Sequence, residues 1–282
     1  MNNLFDIKRF GLILKKDFQE NGKRYLLYFV ALLGVMALVM ILTANGKYEH
    51  ALRMNKTSDP DLNANLLWLA LLFFAGAGVL FAATMTDHLQ NKVKRISCLT
   101  IPASNFEKYF SRWLIVTIGY IAVFFVALWF ADFVRVWVCS YRYPELKVEA
   151  LDFSELVRKD EHSGHYCFSS RAMFFWALSF YFLIQSIFVL GSTFWEKLSF
   201  VKTFAVSLLI ITAFCFICHQ TVLLLYKDWN KVFNVLNSFR LDEKLSESQA
   251  MGIVTAILLV FTLLNWCLAY FRFKEYEIIK RR

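Results

Sequence analysis

The stretch YLLYFVALLGVMALVMILTANG, from Tyr25 to Gly46, carries no acidic or basic side chain over 22 residues. A helix of about 20 apolar residues is long enough to cross the hydrocarbon core of a bilayer. Helix is the expected form, because lipid offers no partner to backbone N–H and C=O groups and a helix satisfies them within the segment. The stretch therefore predicts a transmembrane helix.

Five further runs share these properties. They span Leu62–Thr86, Trp113–Ala131, Ala172–Trp195, Thr203–Tyr226 and Ser248–Phe271. Charged residues make up only 19% of the 282-residue chain, below the roughly 25% usual for soluble domains. We expect an all-α polytopic membrane protein whose six transmembrane helices form one domain over residues 25–271. The small residues of FAGAGVLFAA in the second run predict close helix packing.

The distribution of the net charge of +9 predicts an orientation. If the N-terminus is cytoplasmic, the inner segments carry 18 Lys and Arg in 68 positions and the outer segments carry 13 in 76. The inner segments are 1–24, 87–112, 196–202 and 272–282, and the outer ones are 47–61, 132–171 and 227–247. This bias predicts that both termini are cytoplasmic, with 272–282 as a basic tail. It favours membrane lipids, and not nucleic acid, as partners of the basic side chains.

The segment 1–24 contains an amphipathic pattern. Ile7, Phe10, Leu14 and Phe18 recur at helical spacing between basic side chains. This pattern is typical of an interfacial helix that lies on the inner membrane surface and leads into the first span. The alternative is a plain basic flank that obeys the charge rule. Because the segment is polar and the first apolar run is long, we expect no cleavable signal peptide.

The outer loops also contain helical patterns. In 132–171 the spacing of Leu151, Glu155 and Arg158 predicts a short helix, and Asp132 and Arg135 are spaced to pair on one helical face. The stretch DWNKVFNVLNSFRL, residues 228–241, has apolar residues at i, i+3, i+4 and i+7 and predicts an amphipathic helix at the outer surface.

Searches of the sequence for catalytic motifs are negative. It contains no P-loop, no dinucleotide-binding fingerprint and no nucleophile elbow, so we expect neither ATP hydrolysis by this chain nor another enzymatic activity. His219 is the one ionisable residue placed well inside a predicted span. Since ion-coupled carriers use several such groups, this argues against a carrier.

Two cysteine-containing motifs need an interpretation. CFICH, Cys215–His219, matches the covalent haem pattern but lies inside an apolar run, so we expect packed cysteines and a hydrogen-bonded histidine instead. HSGHYC in the outer loop places His162, His165 and Cys167 together, residue types that bind zinc. Cys167 has a second possible role, a disulfide with Cys139 of the same outer loop.

The inner loop 87–112 contains LTIPASNFEKYFSRWL, from Leu99 to Leu114. Ser104 or Asn105 is a suitable N-cap, and Glu107 then falls in the first turn, where the helix dipole favours an acid. We expect a short cytoplasmic helix that bends into the third span. The residues expected to face the cytoplasm before it are Arg95, Ile96, Leu99, Ile101 and Pro102. The alternative is a simple connector.

This plan resembles the ABC-2 type family of ABC transporter permeases. The resemblance lies in the amphipathic entry segment FDIKRFGLILKKDFQ, in six spans with both ends inside, in the loop LTIPASNFEKYFSRWL, and in the outer segment 228–241. It implies a bacterial inner-membrane exporter subunit that packs as a homodimer or heterodimer. ATP and Mg²⁺ would be bound by a separate ATP-binding subunit, and this chain would bind no cofactor.

The resemblance also implies where that subunit docks. The family's coupling helix corresponds to Ile96–Lys108, and the implied ATPase-coupling residues are Arg95, Ile96, Leu99, Ile101, Pro102, Glu107 and Lys108. It does not imply a substrate. Two other interpretations remain open: a non-transporting membrane subunit for assembly or sensing, and, less favoured, an ion-coupled carrier.

Overall fold

The computed structural model of the chain describes residues 5–54, 62–87, 96, 100–157, 166–195, 197–226 and 246–279. These residues form seven α-helices. The helices are α1 (Ile7–Arg53), α2 (Leu62–Ala82), α3 (Asn105–Leu114), α4 (Tyr120–Arg142), α5 (Arg171–Phe194), α6 (Ser199–Tyr226) and α7 (Glu247–Ile279). A π-helical turn, Ile115–Gly119, joins α3 to α4, and a 3-10 helix covers Phe153–Leu156.

The six predicted spans are confirmed as helices. Six helical segments are long and apolar enough to cross a membrane, and each contains most or all of one predicted run. The chain is therefore an all-α, multi-pass membrane protein. α1 and α4 run parallel to each other, because the start of α1 contacts α3 and its end contacts Tyr143, which follows α4. α2, α5 and α7 run the opposite way, since their ends lie near the start of α1 or near α3.

The predicted interfacial helix is continuous with the first span. α1 extends without interruption over 47 residues, which corresponds to about 70 Å, more than twice the roughly 30 Å of a hydrocarbon core. The predicted apolar stripe is divided: Phe10 is buried, whereas Ile7 and Phe18 are exposed. Asp17 and Asn21 share the buried face with Phe10. Attachment of this segment to the membrane surface stays a prediction.

One end of the bundle collects the start of α1, all of α3 and the ends of α2, α5 and α7, and we call it the N-terminal end. The ring of Phe10 contacts that of Phe110 in α3 at 5.5 Å, and Tyr109 Oη donates to the Trp266 carbonyl of α7 at 2.9 Å. At the opposite end, Tyr48 of α1 contacts Tyr143, which follows α4. The charge bias predicts that the N-terminal end faces the cytoplasm.

Close packing of α2 occurs at one of its small residues. A Cβ added to Gly78 would lie 2.2 Å from Tyr181 Oη of α5 and 2.9 Å from a ring carbon of Tyr120 in α4. A Cβ added to Gly76 would meet nothing within 4 Å. The predicted close approach is therefore confirmed at Gly78, where three helices meet, and Gly76 faces open space.

α5 packs along α7 and meets α6 only near the beginning of α6. Asn265 Nδ2 donates to Ser186 Oγ at 3.0 Å, and a Cβ added to Gly191 would lie 2.1 Å from Thr203 Oγ1. From Phe204 to Leu224 every side chain of α6 is exposed or half-buried. Leu198, just before α6, has a φ of 54°, the left-handed region that costs a residue with a Cβ about 1–2 kcal/mol.

α6 also contains the CFICH motif. Cys215 and His219 are exposed and Cys218 is half-buried, so the expected packing of these cysteines does not occur within the described chain. The exposed positions lie on a helix that crosses the membrane by length and composition.

The predicted Asp132–Arg135 pair is confirmed, and it anchors the loop that follows α4. Arg135 Nε donates to Asp132 Oδ1 at 2.7 Å, and Arg135 is only 1% exposed. Arg135 Nη2 also donates to the Glu149 carbonyl at 2.8 Å, and Asp132 Oδ2 accepts from the Leu151 amide at 2.9 Å. The expected helix near Leu151 is a short 3-10 turn, Phe153–Leu156.

The Cys139–Cys167 disulfide, given above as one possible role of Cys167, is not formed: both thiols are free and buried. Cys139 Sγ donates to Asn45 Oδ1 of α1 at 4.0 Å, whereas Cys167 Sγ donates to the Ala64 carbonyl of α2 at 3.7 Å. The two cysteines therefore pack against different helices. The described residues do not include His162, His165, Arg158 or the segment 228–241. Among the residues that are described, no three metal-binding side chains form a cluster.

Candidate coupling site at the N-terminal end

α3 begins with a reciprocal cap. Ser104 Oγ accepts from the Glu107 amide at 3.1 Å, and Glu107 Oε2 accepts from the Ser104 amide at 3.0 Å. This capping box satisfies two backbone donors that a helix start leaves without an intrahelical partner. Of the two predicted N-caps, Ser104 is therefore the one used, and its spacing to Glu107 is the local signal for it.

The other oxygen of Glu107 binds the start of α1. Oε1 accepts from the Asp6 amide at 2.7 Å and from Arg9 Nη2 at 2.9 Å. The side chain of Glu107 is fully buried, whereas that of Arg9 is 39% exposed. Asp6 is itself the N-cap of α1, since its Oδ1 accepts from the Lys8 amide at 2.8 Å. One carboxylate thus fastens the first turns of two helices that are about 100 positions apart in sequence.

A second carboxylate joins the same two helices two turns further along α1. Asp17 is 4% exposed, and its Oδ1 accepts from Arg112 Nη2 of α3 at 2.6 Å. Asn21 Nδ2 donates to the same oxygen at 2.8 Å, and Tyr25 Oη donates to Oδ2 at 2.7 Å. Because a buried charge must be paired and hydrogen-bonded, this network fixes α3 along α1.

The predicted coupling residues do not all lie on one accessible surface. Ile96 is 62% exposed, Pro102 is exposed, and Ile101 is half-buried. Glu107 and Lys108 are buried, which differs from their predicted place in a docking surface. Glu107 holds α1, so it is available to another subunit only if α1 moves. Arg95 and Leu99 lie outside the described residues.

α3 is continuous with the third span. The residues on either side of each junction, Leu114, Ile115, Gly119 and Tyr120, all have right-handed helical dihedral angles. A single π-helical turn occupies the junction where a bend is expected between the cytoplasmic helix and the span. Such turns insert one extra residue into an α-helix and are frequent at functional sites. α3 and α4 are therefore joined by continuous helical backbone.

Sequence reasoning missed the partners that fasten α3. The pattern of 1–24 suggested Arg9 as a lipid contact, and Asp6, Asp17 and Arg112 had no assigned role. A detectable signal exists for Asp17, because an acid among apolar and basic residues of an entry segment requires a partner. Comparison of the chain with protein-family models, curated proteins and solved structures gives no match.

Proposed function

We propose that this chain is the membrane-spanning subunit of an exporter in the bacterial inner membrane, energised by a separate ATP-binding subunit. That partner would bind ATP and Mg²⁺ and would dock around Ile96 and Pro102. Two copies, or this chain and a second permease, would enclose the path of the substrate. The proposal rests on the sequence resemblance together with the mechanical arrangement of α3.

The observation that carries the proposal is the fixation of α3 at both of its ends. Its first turn is held to α1 through Glu107, and its last turn is held to α1 through Arg112 and continues into α4. A force applied just before Ser104 would therefore move α1 and α4 together. A loop that only connects two spans has no need of two buried carboxylates or a helical extension.

The exposed residues before α3 fit a docking surface. Ile96 is an apolar side chain exposed to 62%, and Pro102 precedes the cap of α3. The Thr100 amide donates to the Ile96 carbonyl at 3.0 Å. Apolar residues in such a position lose exposed surface when a groove of another protein covers them, which favours association.

The docking assignment can be tested by site-specific photocross-linking in the native host. Benzoylphenylalanine replaces Ile96 or Pro102, and Tyr141, which is 90% exposed near the opposite end of α4, serves as the matched control position. We expect adducts from the first two positions that yield peptides of a P-loop ATP-binding protein, and no such adduct from Tyr141. Adducts with lipid alone at positions 96 and 102 would refute the docking site.

A second measurement separates an exporter from a non-transporting subunit that binds the same partner. The complex is reconstituted in lipid vesicles, and ATP hydrolysis is compared for the wild type and for Ile96→Asp. For an exporter we expect coupled hydrolysis that decreases in Ile96→Asp while the chain keeps its thermal stability. If the ATPase binds but its activity is the same with and without this chain, the transport proposal fails.

A further inference from the structure

A groove of about 880 Å³ lies between α1, α2, the π-helical turn and the beginning of α6. Its volume is in the upper part of the range for small-molecule sites, about 300–1,000 Å³. Most of its wall is apolar or aromatic. The apolar part includes Leu32, Val35, Leu72, Phe73 and Val123.

The groove opens towards the side of the bundle. Six residues that line it are more than half exposed, among them Val35 at 54%, Leu72 at 69% and Leu80 at 51%. These three belong to helices that are long and apolar enough to span a membrane. An opening among such residues faces lipid, so a ligand can enter from the bilayer.

One end of the groove is polar. Tyr25, Tyr28, Thr84 and Asp87 line this end, which lies at the N-terminal end of the bundle. Arg24 lines a small adjoining cavity that shares Tyr25, Tyr28 and Asp87 with the groove, and it forms an ion pair with Asp87. Its Nε donates to Tyr28 Oη at 2.7 Å. These bonds use two of the five N–H donors of the guanidinium group, whose side chain is 42% exposed. The polar end thus offers one cation and one anion next to aromatic rings.

We propose that this groove binds a membrane phospholipid with a zwitterionic headgroup. The acyl chain lies along the apolar wall, the phosphate approaches Arg24, and the ammonium group approaches Asp87 and the tyrosine rings. A headgroup with both charges complements both members of the Arg24–Asp87 pair, whereas an anionic headgroup has a phosphate for Arg24 but no ammonium group for Asp87. Tyrosine rings also attract an ammonium group through their faces.

This inference does not rest on the proposed function, because it uses only the described helices. Gly76 is a suitable position at which to test it, because this residue lines the groove and an added Cβ would meet nothing within 4 Å. The Cβ of a leucine at this position would meet no neighbouring atom, and we expect the rest of its side chain to occupy groove volume. Gly34 of α1 also has open space around an added Cβ and does not line the groove, so Gly34→Leu is the matched control.

Native mass spectrometry of the full chain, released from detergent micelles, measures the occupancy. The probes are phosphatidylethanolamine, which is zwitterionic, and phosphatidylglycerol, which is anionic, both with the same acyl chains. We expect the wild type to retain one phosphatidylethanolamine in preference to phosphatidylglycerol. Gly76→Leu should weaken this binding by about tenfold, since the added side chain overpacks the occupied groove. Gly34→Leu should bind as the wild type does.

The headgroup assignment is tested with Asp87→Asn. Removing the carboxylate leaves Arg24 without its anion, so we expect the preference to change from phosphatidylethanolamine towards phosphatidylglycerol. Equal lipid occupancy in Gly76→Leu and Gly34→Leu would refute binding of the lipid in this groove. An unchanged headgroup preference in Asp87→Asn would refute the contact between the ammonium group and Asp87. If Gly76→Leu instead converts a dimer to a monomer with no change in lipid binding, a second copy fills the groove and the proposal is wrong.

Discussion

Glu107 is the residue whose replacement most directly tests how α3 is fixed to α1. In Glu107→Gln the shape of the side chain is kept, but one oxygen becomes an NH₂ group that accepts no hydrogen bond. The carboxylate receives three donors, the Asp6 and Ser104 amides and Arg9 Nη2, at 2.7, 3.0 and 2.9 Å. Glutamine can satisfy only the donors at its remaining oxygen, and it no longer carries the charge that Arg9 contacts.

The expected loss follows from the burial of the site. A hydrogen bond to a charged group contributes about 1.5–3 kcal/mol, and at least one is lost in a side chain with no exposed surface. Water compensates part of the loss at Arg9, whose side chain is 39% exposed. We therefore expect Glu107→Gln to lower the free energy of unfolding by about 2–3 kcal/mol.

The assay is reversible unfolding in mixed micelles with increasing SDS, followed by tryptophan fluorescence. Glu275→Gln is the matched control at the same end of the bundle, since Glu275 pairs with Arg272 at 3.0 Å while both side chains are more than one-third exposed. We expect the control to cost less than about 0.5 kcal/mol. A double-mutant cycle with Arg9→Met should give a coupling energy of about 1–2 kcal/mol. Equal losses in the two glutamine variants, or a coupling energy near zero, would refute the reasoning.

Three further outcomes are expected. Gly78→Ala should destabilise the bundle by about 1–3 kcal/mol, because the added Cβ collides with Tyr181, whereas Gly76→Ala should be neutral or stabilising. Unfolding in SDS measures both variants, and equal effects would contradict the close packing at Gly78. Leu198→Gly should raise the free energy of unfolding by about 1 kcal/mol, because glycine adopts a φ of 54° without strain; a loss in the same assay would count against it. In a variant whose only cysteine is Cys167, alkylation by N-ethylmaleimide at pH 8 should be roughly 100-fold slower than in the SDS-unfolded chain. The reason is that burial and, to a lesser extent, the nearby Glu155 raise the pKa of this thiol to about 11. Equal rates would show that the thiol is accessible.

The features that the sequence predicted correctly are local. Six spans follow from charge-free runs, because a run of about 20 apolar residues has no other stable place than the bilayer. The Ser104–Glu107 cap and the Asp132–Arg135 pair depend on spacings of three residues within one helix, which sequence displays directly.

The features that the sequence did not predict depend on contacts between distant segments. The family resemblance assigns Glu107 to a docking surface, and its local pattern, that of a first-turn acid, does not reveal that Asp6 and Arg9 cover it. Cys139 and Cys167 fall in one predicted outer loop, yet Cys139 lies in α4 and each cysteine contacts a different helix. The division of the N-terminal stripe likewise arises from packing on α3, since periodicity indicates which residues share a face and not what covers that face.

The π-helical turn at Ile115–Gly119 also determines where the chain tolerates a change in length. Deleting one residue from the middle of an α-helix turns every side chain beyond it by about 100° about the axis, and in a spanning helix this exposes a buried face. The turn already contains one surplus residue, so a deletion there converts it to α-helix and leaves both flanks in register. Of all positions between Asn105 and Arg142, these five residues are therefore where natural variants of this protein would differ by a single amino acid in length.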